Sequence, residues 1–363
     1  MTRTSRSQMF YCKYKKLLRF LLLLFVIYYF INKEASNERN TYFNYFPLHS
    51  FHNQSHIEQR KTVKRVIAKS FEMMNSQNLK QYVTENGKDE IIWFTTANEN
   101  YAKIYLPMFL DSFRLWNDTL ASKFLVITFS KSAQSICLKV HHLCPIFVET
   151  LSGELTSKLN YSARQGDQSH WRNFVWTTVE ARLHVLRQGY SYIHIDCDVF
   201  HMNDPWELVK NYLGEQTWIS SNSMQAKLSD ANPGIQYVHS GRTSLAYVKT
   251  WFAQRSKMGT SSGNQRALTT LLAKNNKMSS YTKLYPCSVV SNACCLRECC
   301  FTVWEKLDEM TPMELFSEIS GNKKLKWLNE SVMFHAACIG GTPRKKLRRY
   351  EKIYAAFELR AKT

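Results

Sequence analysis

The chain reads as an α/β protein whose mainly parallel sheet is flanked by helices, and three observations predict this. From residue 89 onward, short runs of β-branched and aromatic residues alternate with segments of helical apolar periodicity. Over residues 171–195 a helix pattern, a glycine and a buried-strand pattern succeed one another directly. That strand, Tyr192-Ile193-His194-Ile195, runs into Asp196-Cys197-Asp198, and the carboxyl end of a strand is where open α/β sheets place ligands.

Taken in chain order, Arg3, Arg6, Lys13, Lys15, Lys16 and Arg19 precede an uncharged apolar run from Phe20 to Ile31. The positive-inside rule puts those charges in the cytosol and the rest of the chain across the membrane. The run falls short of the roughly 20 residues of an ordinary span, which suits a thin early-secretory bilayer. A cleaved signal is the alternative; the bulky Tyr28, Tyr29 and Phe30 disfavour it, and Ala35-Ser36 is the small pair that would serve. The expected organisation is a cytosolic tail over 1–16, a signal-anchor transmembrane helix over 17–32, a luminal stem over 33–88 and the folded domain over 89–363. Within the stem only Val63 to Met74 carries an amphipathic pattern.

The domain opens with the strand pattern Glu90 to Thr96 and the polar loop Ala97-Asn98-Glu99-Asn100. A helix is predicted over Tyr101–Trp116, a strand over Phe124–Phe129, a helix over Ser132–His142 and a strand over Ile146–Glu149. The next helix, Trp171–Gln188, carries Trp171, Phe174, Val175, Val179, Leu183 and Leu186 at helical spacing, with Gly189 at its C-cap. After the paired acids, Asn203-Asp204-Pro205-Trp206 reads as a cap with proline in the first turn of a further helix.

Four Asn-x-Ser/Thr acceptors, Asn53, Asn117, Asn160 and Asn329, agree with a luminal domain. So do ten cysteines, all but Cys12 beyond the anchor. In an oxidising lumen Cys137 and Cys144, and the cluster Cys287, Cys294, Cys295, Cys299, Cys300 and Cys338, are expected as disulfides. Cys197 is the candidate for the unpaired buried thiol, and Cys12 permits palmitoylation. The net charge of +19 would suit nucleic acid, but the luminal topology excludes that partner. Its densest knot, Arg344-Lys345-Lys346-Leu347-Arg348-Arg349, suits donor phosphates, acidic glycans or anionic lipid heads, with a solvated basic helix as the plain alternative.

Two carboxylates as close as Asp196 and Asp198 repel each other unless a proton or cation lies between them, which points to a divalent metal. An EF-hand loop does not fit: counting from Asp196, position five is Phe200, position six is His201 where glycine is required, and position twelve is Glu207. A haloacid-dehalogenase-like phosphatase would use the first acid as nucleophile and needs further acids for magnesium. After Asp198 the only aspartates are Asp204, Asp230 and Asp308, none of them paired.

The unit from Trp171 to Leu208, with Asp196-Cys197-Asp198-Val199 and then Asn203-Asp204-Pro205, resembles the nucleotide-diphospho-sugar transferase domain family. Looser matches follow in order: Asn232-Pro233-Gly234-Ile235, Gly263-Asn264-Gln265-Arg266-Ala267-Leu268 and Phe334-His335-Ala336-Ala337. The resemblance implies a GT-A-like, Rossmann-type fold and a glycosyltransferase, commonly a type II Golgi membrane protein (or one of the ER). It also implies Mn2+ (or Mg2+) as cofactor, a nucleoside-diphosphate sugar as donor, and a glycan, glycoprotein or glycolipid as acceptor. Asp198 is then the direct metal ligand, Asp196 a ligand to the metal or the ribose, and His335 the third ligand. Thr95, Ala97 and Asn98 would border the nucleotide, Asn232 and Gly234 the sugar, and Lys345 or Lys346 would cap the diphosphate. Arg172 is a further phosphate contact, against its plain reading as a helix-surface arginine. Asn264 and Gln265 fall in the sugar pocket, but Asn264 stands where the family usually has Asp. An amide is neither base nor ionised nucleophile, so the base and the anomeric outcome stay open, with Asp167 and Asp230 as nearby acids. A catalytically impaired glycan- or nucleotide-sugar-binding protein on the same fold is therefore the alternative.

Overall fold

The structure, a computed structural model, describes residues 79–86, 89–147, 168–212, 214–258, 263–339 and 343–362. All of them belong to the unit spanning residues 60–363. The expected tail, anchor and most of the stem lie outside the described residues, as do Asn53, Asn160, Asp167 and the side chain of Arg172. No described helix is long and apolar enough to cross a membrane.

The main sheet is built from β1 (Val83–Asn86), β2 (Asp89–Ala97), β3 (Leu125–Thr128), β4 (Ser191–Ile195), β6 (Thr217–Ser221), β7 (Ala231–Val238) and β8 (Thr282–Leu284). Its order is β1-β2-β4-β7-β6-β8, with β3 also pairing β2. The long β2 gives residues 89–92 to β1 and 94–97 to β3, so the two short strands follow one another along it. The expectation of a mainly parallel sheet is corrected here. Strands β3 and β4 run parallel to β2, and β8 parallel to β6, but β1–β2, β4–β7 and β6–β7 are antiparallel. Residue patterns report that a strand exists and which faces it buries; direction is set by its neighbours in space.

Around the sheet lie α1 (Glu99–Ile104), α2 (Leu106–Lys123), α3 (Lys131–Cys137), α4 (Gln168–Arg187), α5 (Trp206–Tyr212), α6 (Arg242–Met258) and α7 (Asn264–Lys274). The helix expected over 101–116 is two, meeting at Tyr105 ahead of Pro107, and Asn117 breaks the second with extended angles. The predicted helix 132–142 ends at Cys137, which is disulfide-bonded to Cys144. Of the predicted strand 146–149, the described residues show one parallel bridge, Ile146 to Thr128. Helix α4 ends as expected, with Gly189 at φ +93°, a conformation that glycine adopts without steric cost.

Alternation along the strands sends side chains to two cores, as the period of two requires. Ile193 and Ile195 join one with Phe109, Phe113 and the C-terminal helix; Tyr192 joins the other with Val179, Leu183, Trp251 and Leu268. A second, three-stranded sheet, β5 (Val199–His201), β10 (Met333–His335) and β9 (Val290–Asn292), has β10 in the middle. The remaining described α-helices are α8 (Asn276–Tyr281), α9 (Ala293–Cys299), α10 (Phe301–Lys306), α11 (Pro312–Gly321), α12 (Lys326–Glu330) and α13 (Pro343–Lys362). Cys287 pairs with Cys295, Cys294 with Cys338 and Cys299 with Cys300, and Cys197 is buried and free.

Candidate active site

The acids follow β4, whose five residues are all buried, so the chain leaves the sheet at a fixed point. It pairs again at once as β5. There β10 lies antiparallel with His335 opposite Val199, and the Ala336 amide donates to the Asp198 carbonyl at 2.9 Å. A short ladder thus brings His335 beside acids that precede it by well over a hundred residues. Asp196, Asp198 and His335 each present a ligating atom, all within 4.8 Å of one another. His335 Nε2 is 3.3 Å from Asp198 Oδ1 and 3.7 Å from Asp196 Oδ2. Asp198 is buried, whereas the Asp196 side chain stays 37% exposed, which leaves the group open on that side.

Helix α13 brings a cation to the same place. Lys346 Nζ donates to Asp198 Oδ2 at 2.9 Å, and Tyr350, one turn on, donates its hydroxyl to the Val199 carbonyl at 3.0 Å. The adjacent row of the helix is pinned elsewhere: Lys345 lies 2.9 Å from Asp308, which also takes two hydrogen bonds of 2.6 Å from Arg349. It is therefore Lys346, not Lys345, whose ammonium reaches the acids. Burial alone would raise the Asp198 carboxyl, but Lys346 and His335 hold it far below the usual carboxylate range. Burial likewise disfavours the Lys346 charge, and Asp198 more than offsets it. Asp196 goes the other way: partial desolvation raises it, with His335 opposing and the Asp198 charge adding.

Gly234 shapes the space between Asp196 and His335. A Cβ there would overlap His335 Cε1, lie 2.7 Å from Asp196 Oδ2 and 2.9 Å from His335 Nδ1. The position is created by an irregularity in β7: the register against β6 jumps from Ile219–Gln236 to Ser220–Asn232, releasing residues 233–235 from that ladder. Pro233 is tolerated at such a bulge, and the Gly234 carbonyl accepts from the Asp196 amide at 2.6 Å. Asn232 holds the bend, its Oδ1 accepting from the Gly234 amide at 2.9 Å and its Nδ2 donating to Asn222 at 2.8 Å.

The end of β2 lies beside the segment that carries the acids. Thr95 Oγ1 is 3.3 Å from Cys197 Sγ, Ala97 is fully buried, and Asn98 caps α1 by accepting from the Tyr101 amide at 2.9 Å. Asn264 begins α7, and its Nδ2 donates to the Val175 carbonyl of α4 at 3.0 Å, so its recorded side-chain bond ties two helices together. Gln265 follows it, half-buried. Asp230 ends a turn just before β7. Two acceptor asparagines use their amide nitrogens inside the fold: Asn117 donates to Asp204 at 3.1 Å and Asn329 to the Ile319 carbonyl at 3.3 Å. Sequence reasoning missed Asp308 and the buried pair Arg182 and His194. The spacing of Lys345 to Arg349 and of Lys346 to Tyr350 was the available signal for the first.

Two features fit a divalent cation held by the two acids and the histidine. His335 Nδ1 is buried with no hydrogen-bond partner, and the space beside it is kept open by the absence of a side chain at residue 234. Two carboxylates and an imidazole form a donor set suited to manganese or magnesium.

Among solved structures, the chain resembles mouse xyloside xylosyltransferase 1 in its apo form, at 11% identity and TM-score 0.38, covering 69% of this chain and 99% of that one. It also resembles a glycosyltransferase involved in glycosylation of the major capsid of PBCV-1, at 8% identity and TM-score 0.39, covering 72% and 99%. A third likeness is the galactosyltransferase LgtC in complex with donor and acceptor sugar analogs, at 11% identity and TM-score 0.41, covering 73% and 95%. No curated protein matches the chain by sequence. The family model does match, over residues 119–349, a span that takes in the acids, the glycine bulge, His335 and Lys346; the chain belongs to the nucleotide-diphospho-sugar transferase family, as an α/β glycosyltransferase with a mixed sheet.

Proposed function

We propose that the protein is a metal-dependent glycosyltransferase that moves a sugar from a nucleoside-diphosphate sugar to a glycan, glycoprotein or glycolipid acceptor in the secretory pathway. The convergence of Asp196, Asp198 and His335 around the space that Gly234 leaves open carries this reading. Mn2+ or Mg2+ bound there supplies Lewis-acid stabilisation of the diphosphate as its bond to the anomeric carbon breaks. The chain's own residues do the rest. Asp198, kept ionised by Lys346 and His335, holds charge at the bottom of the site. Lys346 offers an ammonium to the leaving diphosphate, and the buried end of β2 walls the nucleotide side. The apolar run and the basic residues before it support a type II signal anchor, hence a luminal domain in the Golgi or ER membrane.

Calorimetric titration of UDP and GDP with and without manganese tests this. Wild type is expected to bind one of them in a manganese-dependent way, and Asp198→Ala and His335→Ala to lose that dependence while retaining a cooperative melt. Equal manganese-dependent affinity in all three proteins would remove the metal assignment. Asn264 supports a second reading, a binding protein with no turnover, because its amide is committed to the Val175 carbonyl. Sugar release from a panel of UDP- and GDP-sugars separates the two.

A further inference from the structure

Behind Asp196 lies a buried cation, Arg182, that makes no direct ion pair among the described residues. Arg182 is 1% exposed, and the acid whose charge it feels is Asp196. Such a group is expensive to desolvate, so its surroundings are informative. It lies over the Trp251 ring at 5.4 Å, and its Nη1 donates to Gln236 Oε1 at 3.1 Å. That same oxygen accepts from the Tyr192 hydroxyl at 2.9 Å, so Gln236 is held from two sides. Nη2 lies 2.8 Å from Nδ1 of the fully buried His194 and 3.4 Å from its Nε2.

A guanidinium only donates, so the nearer ring nitrogen, Nδ1, is the acceptor, which leaves the ring proton to Nε2. That N–H faces Thr96 Oγ1 at 3.5 Å and Asp196 Oδ1 at 3.8 Å. The other carboxylate oxygen, Oδ2, faces His335 at 3.7 Å. Asp196 therefore stands between two imidazoles: one belongs to the candidate ligand group, and the other is oriented from behind by the buried arginine.

We propose that Arg182 and His194 form a positioning relay for Asp196: the arginine sets the His194 tautomer, and the His194 N–H, directed at Oδ1 from 3.8 Å, biases the carboxylate electrostatically so that Oδ2 stays turned toward His335 and the cation. The inference rests on the proposed reading of Asp196 as a metal-site residue. Outer-shell partners of this kind change metal affinity by about 10- to 100-fold when removed.

The full chain in detergent is titrated with Mn2+ alone, followed by the paramagnetic resonance of the free ion, for wild type, Asp198→Ala, His194→Phe, His194→Gln and Arg182→Met. His194→Phe and Arg182→Met are expected to weaken Mn2+ binding by about 10- to 100-fold. His194→Gln, whose amide can accept from Arg182 and donate toward Asp196, restores most of the affinity. Nitrogen-15 histidine spectra of the wild type, which need no variant to fold, should show His194 as the Nε2–H tautomer. The Nδ1–H tautomer overturns the relay, as does wild-type Mn2+ affinity in His194→Phe, or a loss in His194→Gln equal to that in His194→Phe. If Asp198→Ala binds Mn2+ as wild type does, the metal reading itself has failed; if only the His194 and Arg182 variants are unaffected, the relay alone has.

Discussion

Gly234 is the residue on which the site's dimensions depend most directly. Its missing side chain separates Asp196 from His335, and both flanking backbones are tied down, one through the 2.6 Å bond to the Asp196 amide and the other through the β5–β10 ladder. Gly234→Ala is therefore expected to displace the imidazole or the carboxylate, since neither backbone can yield easily. Overpacking of this kind costs about 1–3 kcal/mol. The expected result is a melting temperature a few degrees lower and manganese-dependent nucleotide binding weakened at least tenfold, read by thermal shift and calorimetry; unchanged affinity would show that the space beside residue 234 is not used. At this scale much was legible. The paired acids and the Asn-x-Gly segment stand out in the chain because their chemistry is carried by residue type. Which of two neighbouring lysines faces the acids was not, because Lys345 and Lys346 differ only by their angle around α13. That angle is set by Asp308, outside any local window.

Helix α13 works as a lever with two rows. Lys345 and Arg349 grip Asp308 in the link between α10 and α11, while Lys346 reaches the Asp198 carboxylate and Tyr350 the strand that follows it. Asp308 is 40% exposed, so the grip is worth about 1 kcal/mol at most. Its larger effect is on aim. Asp308→Asn is expected to lower the melting temperature slightly and nucleotide-diphosphate affinity several-fold, a split visible by comparing thermal shift with calorimetry. The hydrogen bonds from Arg349 and Lys345 hold the Asp308 carboxyl well below its usual 3.8. A depressed carboxylate stabilises the fold above its unfolded value and loses that contribution as pH falls below it. The variant should accordingly show a shallower loss of stability below about pH 4 than wild type. Helix α4, Gly189 and β4 were legible as a unit because periodicity, cap and strand pattern are all local. The bulge in β7 was not, since a proline and a glycine in sequence read as a break, and only the pairings on either side of them, with β6 and β4, carry the strand through.

Across the whole molecule, several histidines are buried in neutral form. Burial holds His141 down at about 4, despite its bond to the Phe124 carbonyl, and His201 at about 3. His194 is lowered by burial first and by Arg182 second. Unfolding exposes each to water, where it takes up a proton below its usual 6.5. The unfolded state then binds more protons than the native one, so stability falls as pH drops from 6.5 toward 4, by about 1.4 kcal/mol per pH unit for each such histidine. Denaturant titrations at pH 7 and pH 5 should show this loss, and His201→Gln should reduce it; a protein equally stable at both values would contradict neutral burial.

The sequence by itself determined what depends on neighbours along the chain: the helix, glycine and strand that lead into Asp196-Cys197-Asp198, and an unpaired Cys197 inside the core. Each follows from side-chain chemistry within a few residues. The tertiary structure alone decided the mixed direction of the sheet, the ladder that seats His335 beside the acids, the choice of Lys346, and the buried arginine behind His194. These rest on pairings between segments far apart in sequence, whose geometry exists only once the chain has closed on itself and no local pattern encodes it.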